Sequence, residues 1–298
     1  NLKESRNIED RRGQSYSQSS GNSNLGGGIL QILLSPGSFK SKIIIILLMV
    51  LLGGGASLGG LFGNGTSQPY QSTQVTRTNK THVDDADAEF VSKVLGTTED
   101  HWHKVFQAEG RTYQEPKLVF YTGRTKTGCG VGQASAGPFY CPTDKKIYLD
   151  MSFYKELTTK YKASGDFAMA YVIAHEVGHH VQNELGILGK YHRMQQGLSE
   201  KERNAISVRI ELQADYLAGV WARSIQDRNL LDIGDIEEAM NAAHAVGDDT
   251  LQEQAYGYSV PDSFTHGTSE QRMRWFKRGY QYGDLQHGDT FSLSDSEL

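Results

Sequence analysis

FAMAYVIAHEVGHHVQNEL, residues 167–185, is the most informative stretch of this 298-residue sequence. Asp166 before it and Gly186 after it are typical helix boundaries, so the stretch is predicted to form one helix. Within that helix His175 and His179 are four residues apart, and side chains at this spacing lie on the same face. Both imidazoles can therefore bind one metal ion, as they do in HExxH sequences on helices.

Two neighbours of these histidines have different expected roles. Glu176 points beside the expected metal position, where its carboxylate can take a proton from an attacking water molecule. His180 is rotated about 100° around the helix from His179, so we do not expect it to be a ligand. HExxH also arises by chance, so the motif needs a further ligand elsewhere in the chain.

A second predicted helix carries two acidic residues at the same spacing. Ser199 and Glu202 form a capping-box pattern at its start, and Glu211 and Asp215 lie further along it on one face. Because apolar residues flank both acids, we expect them to be buried and paired. One carboxylate can then complete a zinc site with three protein ligands, while the other accepts a hydrogen bond from a ligand histidine. The alternative is a solvated charged stripe on an amphipathic helix.

The third candidate element is SFTHGTSEQR, residues 263–272. His266 precedes a helix that Thr268 opens with a second capping box, and Arg272 lies in its first turns. Because backbone N–H groups at a helix start favour anions, His266 and Arg272 can stabilise the oxyanion of a tetrahedral intermediate. The alternative is a histidine in an ordinary turn and an arginine on an exposed helix face.

The remaining patterns predict a small sheet and further helices. Residues 117–121 (KLVFY) and 146–150 (KIYLD) are typical of strands, and we expect the second to be the sheet edge on which an extended peptide docks. Short strands followed by helices indicate an α+β domain, mainly helical with a small sheet. The other predicted helices cover residues 84–95, 98–109 and 235–246.

An apolar run without charges, IIIILLMVLLGGGASLGGLF, extends from Ile43 to Phe62. Its length is enough to span a bilayer, and it lacks the polar face of a core helix, so we predict a transmembrane anchor over residues 40–62. Lys40 and Lys42 precede the run, and by the positive-inside rule the N-terminus is cytoplasmic and the rest is periplasmic or extracellular. A cleaved signal peptide is the alternative, but the candidate cleavage site is poor.

The composition of the other segments predicts a tail at each end of the chain, a linker and one folded domain. Residues 1–39 are rich in Ser, Gly, Asn and Gln and are predicted to form a disordered cytoplasmic tail. A polar linker over residues 63–82 leads to a folded domain over residues 83–285, and residues 286–298 are expected to be a flexible tail. The formal net charge of −5 argues against a basic nucleic-acid-binding surface, so we expect a peptide or protein substrate.

Two cysteines, Cys129 and Cys141, enclose the Gly-rich loop GVGQASAGPFY. They are too few for a disulfide-built scaffold or a four-cysteine zinc site. In the oxidising compartment expected for the domain, they are predicted to form a disulfide bond. Two free thiols are the alternative.

These motifs together resemble those of the bacterial neutral zinc metallopeptidase family. The resemblance rests on AHEVGHH at 174–180, ELQAD at 211–215 and SFTHGTSEQR at 263–272, and GCGVGQASAGPFYCP at 128–142 and YLDMSFY at 148–154 fit it too. It covers nearly the whole chain after about residue 84, and the short tail with a single anchor agrees with it. The resemblance implies a zincin-like metallopeptidase domain.

Carried over residue by residue, the resemblance implies a complete catalytic zinc site. His175, His179 and Glu211 would be the zinc ligands. Glu176 would be the general base, and Asp215 would orient a ligand histidine.

His266 and Arg272 are also similar to residues of the membrane-bound gluzincins of the CAAX-protease and HtpX type. This likeness implies His266 as a donor to the transition state, with Arg272 in support. Those proteins place Pro after the histidine, whereas this chain has Gly267, and they carry several transmembrane spans. Their substrates are therefore not transferred.

The sequence thus predicts a membrane-anchored zinc metallopeptidase of the metalloendopeptidase type, with Zn²⁺ as its cofactor. Two alternatives stay open. One is an envelope interaction or scaffold protein with a structural zinc site, which would need a fourth protein ligand. The other is a zinc hydrolase that acts on a non-peptide amide.

Overall fold

The structure is a computed structural model of the chain and describes residues 2–14, 83–163, 165–228, 230–232 and 234–298. Its mostly helical content and small sheet confirm the predicted α+β class. The helices are α1 (Val83–Ala108), α2 (Ser152–Thr159), α3 (Asp166–Glu184), α4 (Ile187–Met194), α5 (Glu200–Gln226), α6 (Asp235–Ala245), α7 (Asp248–Tyr256) and α8 (Ser269–Tyr282). The strands are β1 (Ile8–Asp10), β2 (Lys117–Tyr121), β3 (Arg124–Thr127), β4 (Gly130–Gln133), β5 (Phe139–Cys141) and β6 (Lys146–Asp150).

Four strands form the main sheet in the order β1-β2-β6-β5. β1 and β6 pair with β2 in parallel, and β5 pairs with β6 antiparallel. β6 is therefore an interior strand, and the prediction that residues 146–150 form the docking edge is wrong. The edge on that side is β5, whose three residues are too few to show a strand pattern in the sequence.

β3 and β4 form a separate antiparallel hairpin beside the main sheet. Cys129 and Cys141 are joined by a disulfide bond, with their Cα atoms 5.9 Å apart, which confirms the predicted pairing. Because Cys129 precedes β4 and Cys141 ends β5, the bond ties the hairpin to the edge of the main sheet. Cys141 is buried in a small cluster with Tyr121 and Tyr148.

α3 and α5 approach each other closely where a glycine removes the side chain between them. A Cβ on Gly178 would lie 2.9 Å from the carbonyl oxygen of Ala214, a distance that real Cβ atoms essentially never show. Gly178 belongs to the HExxH motif, and Ala214 lies between Glu211 and Asp215. This contact therefore brings the two predicted ligand-bearing helices together.

α5 and α8 begin at the residues that the sequence predicts. Ser199 and Thr268 are the N-caps, and both capping boxes are present. The two helices pack so closely that a Cβ on Gly219 would lie 2.0 Å from the carbonyl oxygen of Phe276. This packing places Arg272 of α8 against the acidic face of α5.

α1 is one continuous helix, whereas the sequence predicts two, over residues 84–95 and 98–109. The glycine between them does not end a helix. A Cβ on Gly96 would lie 2.5 Å from the carbonyl oxygen of Lys3, so the glycine makes room for the N-terminal segment. The prediction of a break is wrong because a tertiary contact, rather than a helix end, requires Gly96.

Residues 2–14 are ordered against the domain, so the disorder predicted for residues 1–39 is wrong in this part. β1 lies within this segment and pairs in register with residues 118–120 of β2. A strand of three residues in a polar stretch has no periodic pattern. Its order comes from hydrogen bonds to a strand far along the chain.

Residues 286–298 pack on the domain, so the flexible tail predicted there is also wrong. Thr290 and Leu298 are buried, and the side-chain amide of Gln213 donates to the carbonyl oxygen of Gly288 at 2.9 Å. The polar composition conceals this order because many of the contacts use backbone carbonyl groups. The folded domain therefore extends to residue 298.

The predicted anchor from Ile43 to Phe62 and the predicted linker over residues 63–82 lie outside the described residues. So does the remainder of the predicted tail, residues 15–39. Within the parts of the chain that the structure does describe, no helix is both long enough and apolar enough to cross a membrane.

Candidate metal centre

His175, His179 and Glu211 lie together, with their potential ligand atoms all within 4.8 Å of one another. Nε2 of His175 is 3.1 Å from Oε2 of Glu211, and Nε2 of His179 is 3.4 Å from Oε1. Ligand atoms of tetrahedral zinc lie about 2.1 Å from the ion, so neighbouring ligand atoms are about 3.4 Å apart. Two imidazoles and one carboxylate at this spacing therefore fit zinc.

Negative charge dominates this buried site. Burial disfavours the imidazolium form of His175 and so lowers its pKa. The carboxylates of Asp215 and Glu211 have the larger combined effect and raise the His175 pKa to about 10. Burial also disfavours the charged form of Glu211, yet His179 and His175 hold its pKa well below the usual range. The site therefore attracts a proton where a divalent cation would bind, and protons and metal compete for such ligands.

Asp215 orients His175. Nδ1 of His175 donates to Oδ1 of Asp215 at 2.7 Å, which fixes the tautomer that leaves Nε2 available to a metal. The hydroxyl of Tyr171 donates to the same carboxylate oxygen at 2.6 Å. These contacts correspond to the orienting role predicted for Asp215.

Arg272 neutralises Asp215. Its Nε and Nη2 atoms donate to the two oxygens of the carboxylate at 2.8 and 3.0 Å, and Nη1 donates to the carbonyl oxygen of Val246 at 3.2 Å. Nη2 also lies 3.4 Å from Nδ1 of His175, so Arg272 is placed to act on His175 both directly and through Asp215. These contacts favour a positioning role for Arg272, and its predicted support of an oxyanion stays a prediction.

Gln182 orients the other histidine, and the sequence analysis missed it. Its Oε1 accepts a hydrogen bond from Nδ1 of His179 at 2.9 Å, which leaves Nε2 facing Glu211. Its amide nitrogen donates to the carbonyl oxygen of Ile210 at 2.8 Å and to Oε1 of Gln213 at 3.1 Å. The available signal was its position three residues after His179, on the same face of α3.

His180 faces away from the metal-ligating group, as predicted. Its Nε2 donates to the carbonyl oxygen of Gln114 at 2.6 Å, and its Nδ1 lies 2.9 Å from the hydroxyl of Tyr140. Burial lowers the pKa of His180. The residue therefore ties α3 to the sheet side of the domain.

Glu176 is buried beside the ligands, and burial raises its pKa. None of the described residues forms a hydrogen bond with its carboxylate. A buried carboxylate with a raised pKa and no fixed partner is suited to accepting and releasing a proton.

His266 lies in the loop before α8, where Asp248 holds it. Oδ2 of Asp248 accepts hydrogen bonds from the backbone N–H groups of Thr265, His266 and Gly267 at 2.7, 2.6 and 3.2 Å. Oδ1 lies 3.1 Å from Nδ1 of the His266 imidazole. Burial opposes the charged form of His266, but Asp248 raises its pKa. The sequence analysis missed Asp248, whose only signal was an acidic residue at a helix start.

Gly267 places this loop beside the metal-ligating group. Its φ of 92° and its donated N–H exclude proline, which has a φ near −65° and no N–H. A Cβ on Gly267 would lie 3.2 Å from Leu212 and 3.3 Å from Val208, so the loop rests on α5 next to Glu211. The local backbone therefore explains why glycine stands where the gluzincin pattern has proline.

The family model described as putative neutral zinc metallopeptidase matches residues 1–291. The chain belongs to this family. The match confirms the resemblance seen in the motifs, and it includes β1 as well as α3 and α5. Membership of the neutral zinc metallopeptidase family implies zinc, which the donor set of this site fits.

Two relatives in this family are similar over different lengths. The uncharacterized protein YpfJ of Escherichia coli K12 is 50% identical over 292 residues, 98% of each chain. The uncharacterized protein Rv2575 of Mycobacterium tuberculosis H37Rv is 44% identical over 194 residues, which cover 61% of this chain and 64% of its own. No solved structure matches the chain.

Proposed function

We propose that the chain is a zinc-dependent metallopeptidase that hydrolyses peptide bonds, with a zincin-like domain of the gluzincin type. The observation that carries the proposal is the three-residue group with the buried carboxylate of Glu176 beside it, a carboxylate that forms no hydrogen bond with any described residue. Among the described residues, no fourth His, Cys, Asp or Glu joins the group. A site with three protein ligands keeps a position for water or substrate.

The proposed mechanism assigns separate tasks to two side chains. When bound, zinc supplies a Lewis acid that polarises a carbonyl group and lowers the pKa of water. Glu176 takes a proton from the attacking water and delivers it to the leaving amine. His266, held by Asp248, donates a hydrogen bond to the oxyanion of the tetrahedral intermediate.

The proposed docking strand for the substrate is β5. One side of β5 pairs with β6, and the other side ends the sheet in the described part of the chain. Tyr140 of β5 contacts His180 of α3, so this edge lies next to the helix that carries the HExxH motif. An extended peptide can add to such an edge through main-chain hydrogen bonds.

The proposed location of the domain is the periplasm or the outside of the cell, with the run from Ile43 to Phe62 inserted in the membrane. The length of that run supports insertion. The disulfide bond between Cys129 and Cys141 supports an oxidising compartment, since disulfides persist there and are rare in the cytosol. The substrate is then a peptide or protein of the same compartment.

A structural zinc site would be the competing function, and it requires four protein ligands. His266 is the sequence-based candidate for the fourth, but it is not part of the group that His175, His179 and Glu211 form. The arrangement therefore favours catalysis.

The test measures zinc content and cleavage of a peptide mixture by the full chain and three variants. We expect one zinc per chain and cleavage for the wild type. Glu176→Gln should retain zinc and lose cleavage, because only the proton-accepting group is removed, and Glu211→Ala should lose most of the zinc. Glu253→Gln, the same change as the first at an exposed position in α7, should retain both properties.

Each contrary result has a distinct meaning. Cleavage by zinc-loaded Glu176→Gln would exclude Glu176 as the base. If the wild type bound zinc and cleaved other amides but no peptide, the chain would be a zinc hydrolase of a different kind and not a peptidase. A folded wild type that takes up no zinc when zinc is supplied would overturn the proposal.

A further inference from the structure

The edge of β2 holds the N-terminal segment, residues 2–14, as an additional strand. β1 pairs with β2 in parallel. Two further backbone hydrogen bonds of 2.8 Å flank the pairing, from the Leu118 N–H to Asn7 and from the Arg11 N–H to Phe120. The segment is therefore a continuous part of the sheet.

Polar contacts fix the same segment against α1 and the turn before β2. The Ser5 N–H donates to the carbonyl oxygen of Ser92 at 3.1 Å, and the Ser5 hydroxyl donates to Glu99. The side-chain amide of Asn7 donates to Glu99 at 2.9 Å and to Glu115 at 2.6 Å. If the segment left, both carboxylates would lose these donors.

Charged contacts hold the segment on its other side. Glu9 forms ion pairs with Arg11 at 2.7 Å and with Lys146 of β6 at 2.8 Å. Arg11 also donates to the hydroxyl of Thr125 at 3.0 Å and to the carbonyl oxygen of Lys126 at 2.8 Å, both in the β3–β4 hairpin. Specific partners in four different elements make this a fitted site for a segment of the chain itself.

The apolar run from Ile43 to Phe62 lies between this segment and the rest of the domain. A run that crosses a membrane once places the residues before and after it on opposite sides. A strand and its sheet partner, however, must share one aqueous compartment. The disulfide between Cys129 and Cys141 favours the oxidising side for that compartment.

We propose that residues 2–14 lie with the domain on the oxidising side of the membrane, because β1 and β2 pair in one sheet and the domain carries a disulfide bond. This replaces the cytoplasmic N-terminus inferred from Lys40 and Lys42. The inference rests on the membrane association in the proposed function and is independent of the catalytic assignment.

The test uses the full chain in cells whose outer barrier has been removed. Short epitope tags are placed before Leu2 and after Leu298, and protease is added outside, with and without detergent. We expect both tags to be lost from intact cells. Loss of the C-terminal tag alone would overturn the proposal, because residues 2–14 would then be separated from β2.

Other outcomes are also decisive. If both tags were lost only after detergent was added, both ends of the chain would lie inside the cell, and the assignment of the domain to the oxidising side would be wrong. Recovery of the chain in the soluble fraction would overturn the membrane association. Because the tags are read without measuring cleavage, a chain with both tags outside and no peptidase activity would overturn the proposed function alone.

A pair of variants tests the strand site directly. Gly96→Val places a side chain where the carbonyl oxygen of Lys3 lies, and it should expose Arg11 and Arg12 to trypsin in the purified full chain. Gly189→Val is the control. A Cβ added at Gly189 of α4 would have no neighbouring atom closer than 3.5 Å, so this variant should keep the trypsin resistance of the wild type. Equal resistance of both variants would show that the segment does not depend on this site.

Discussion

The two histidines of the candidate metal centre have different partners for Nδ1. His175 donates to the carboxylate of Asp215, whereas His179 donates to the neutral amide of Gln182. The first arrangement brings a second negative charge into the buried site, and Arg272 cancels it. The carboxylates of Glu211 and Glu176 then remain to balance a divalent cation, so Arg272 preserves the charge balance of the site as well as its geometry.

Arg272→Met tests the buried ion pair. The change keeps most of the side-chain volume but removes the guanidinium that pairs with the fully buried Asp215, and breaking such a pair typically costs about 3 kcal/mol or more. We expect this loss in the free energy of unfolding of the zinc-free protein in urea. Arg223→Met removes an exposed pair with Asp227 and should cost about 0.5 kcal/mol or less. Equal losses would contradict the positioning role.

The sequence predicts the members of the candidate metal centre better than the residues that support them. His175 and His179 are recognisable because their spacing on one helix is a local pattern. The role of Gln182 depends on a side-chain amide that also reaches α5, and that contact exists only after the helices pack. Arg272 was placed on the correct helix, but the sequence does not show that α8 turns this residue toward Asp215.

At the scale of elements, α7 controls the position of the loop before α8. An acidic residue at a helix start commonly accepts hydrogen bonds from the N–H groups of its own first turn. Asp248 instead uses its carboxylate on three N–H groups of the loop that contains His266. α7 thereby fixes a candidate catalytic side chain that belongs to another element.

Asp248→Ala should lower turnover without removing zinc. The loop would lose four hydrogen bonds, and His266 would no longer be fixed beside Glu211. We expect kcat to fall by about tenfold to a hundredfold, no more than the loss of an oxyanion donor itself. Steady-state kinetics and zinc content check this. Asp262→Ala, at an exposed position in the preceding turn, should change neither, and an unchanged kcat for Asp248→Ala would remove His266 from the mechanism.

The helices were predicted where their ends carry local signals. The capping boxes at Ser199 and Thr268 depend on side chains three residues apart, so the sequence alone contains the information. Gly96 was misread because a helix end and a close backbone contact both require glycine. β1 and β5 were missed because a three-residue strand is defined by its partner strand rather than by its own pattern.

At the scale of the whole molecule, the domain includes both described ends of the chain. Residues 2–14 extend the sheet, and residues 286–298 cover α5 and α8. Both segments are polar, and their contacts are mainly ion pairs, amide side chains and backbone carbonyl groups. Hydropathy and composition do not reveal such contacts, which is why these segments were predicted to be disordered or flexible.

The attachment of the N-terminal segment should depend on pH through Glu9. Hydrogen bonds from Arg11 and Lys146 lower the pKa of Glu9 from 4.5 to about 2. Since the pKa is lower in the folded state, Glu9 contributes stability above about pH 4.5, and this contribution is lost as the pH falls toward about 2. Glu9→Gln should therefore be less stable than the wild type near neutral pH, and the difference should shrink across that window. Urea unfolding of both proteins at several pH values measures this difference, with Glu253→Gln as a control that shows no trend. A difference that stays constant with pH would mean that the charge of Glu9 contributes nothing to holding the segment on the sheet.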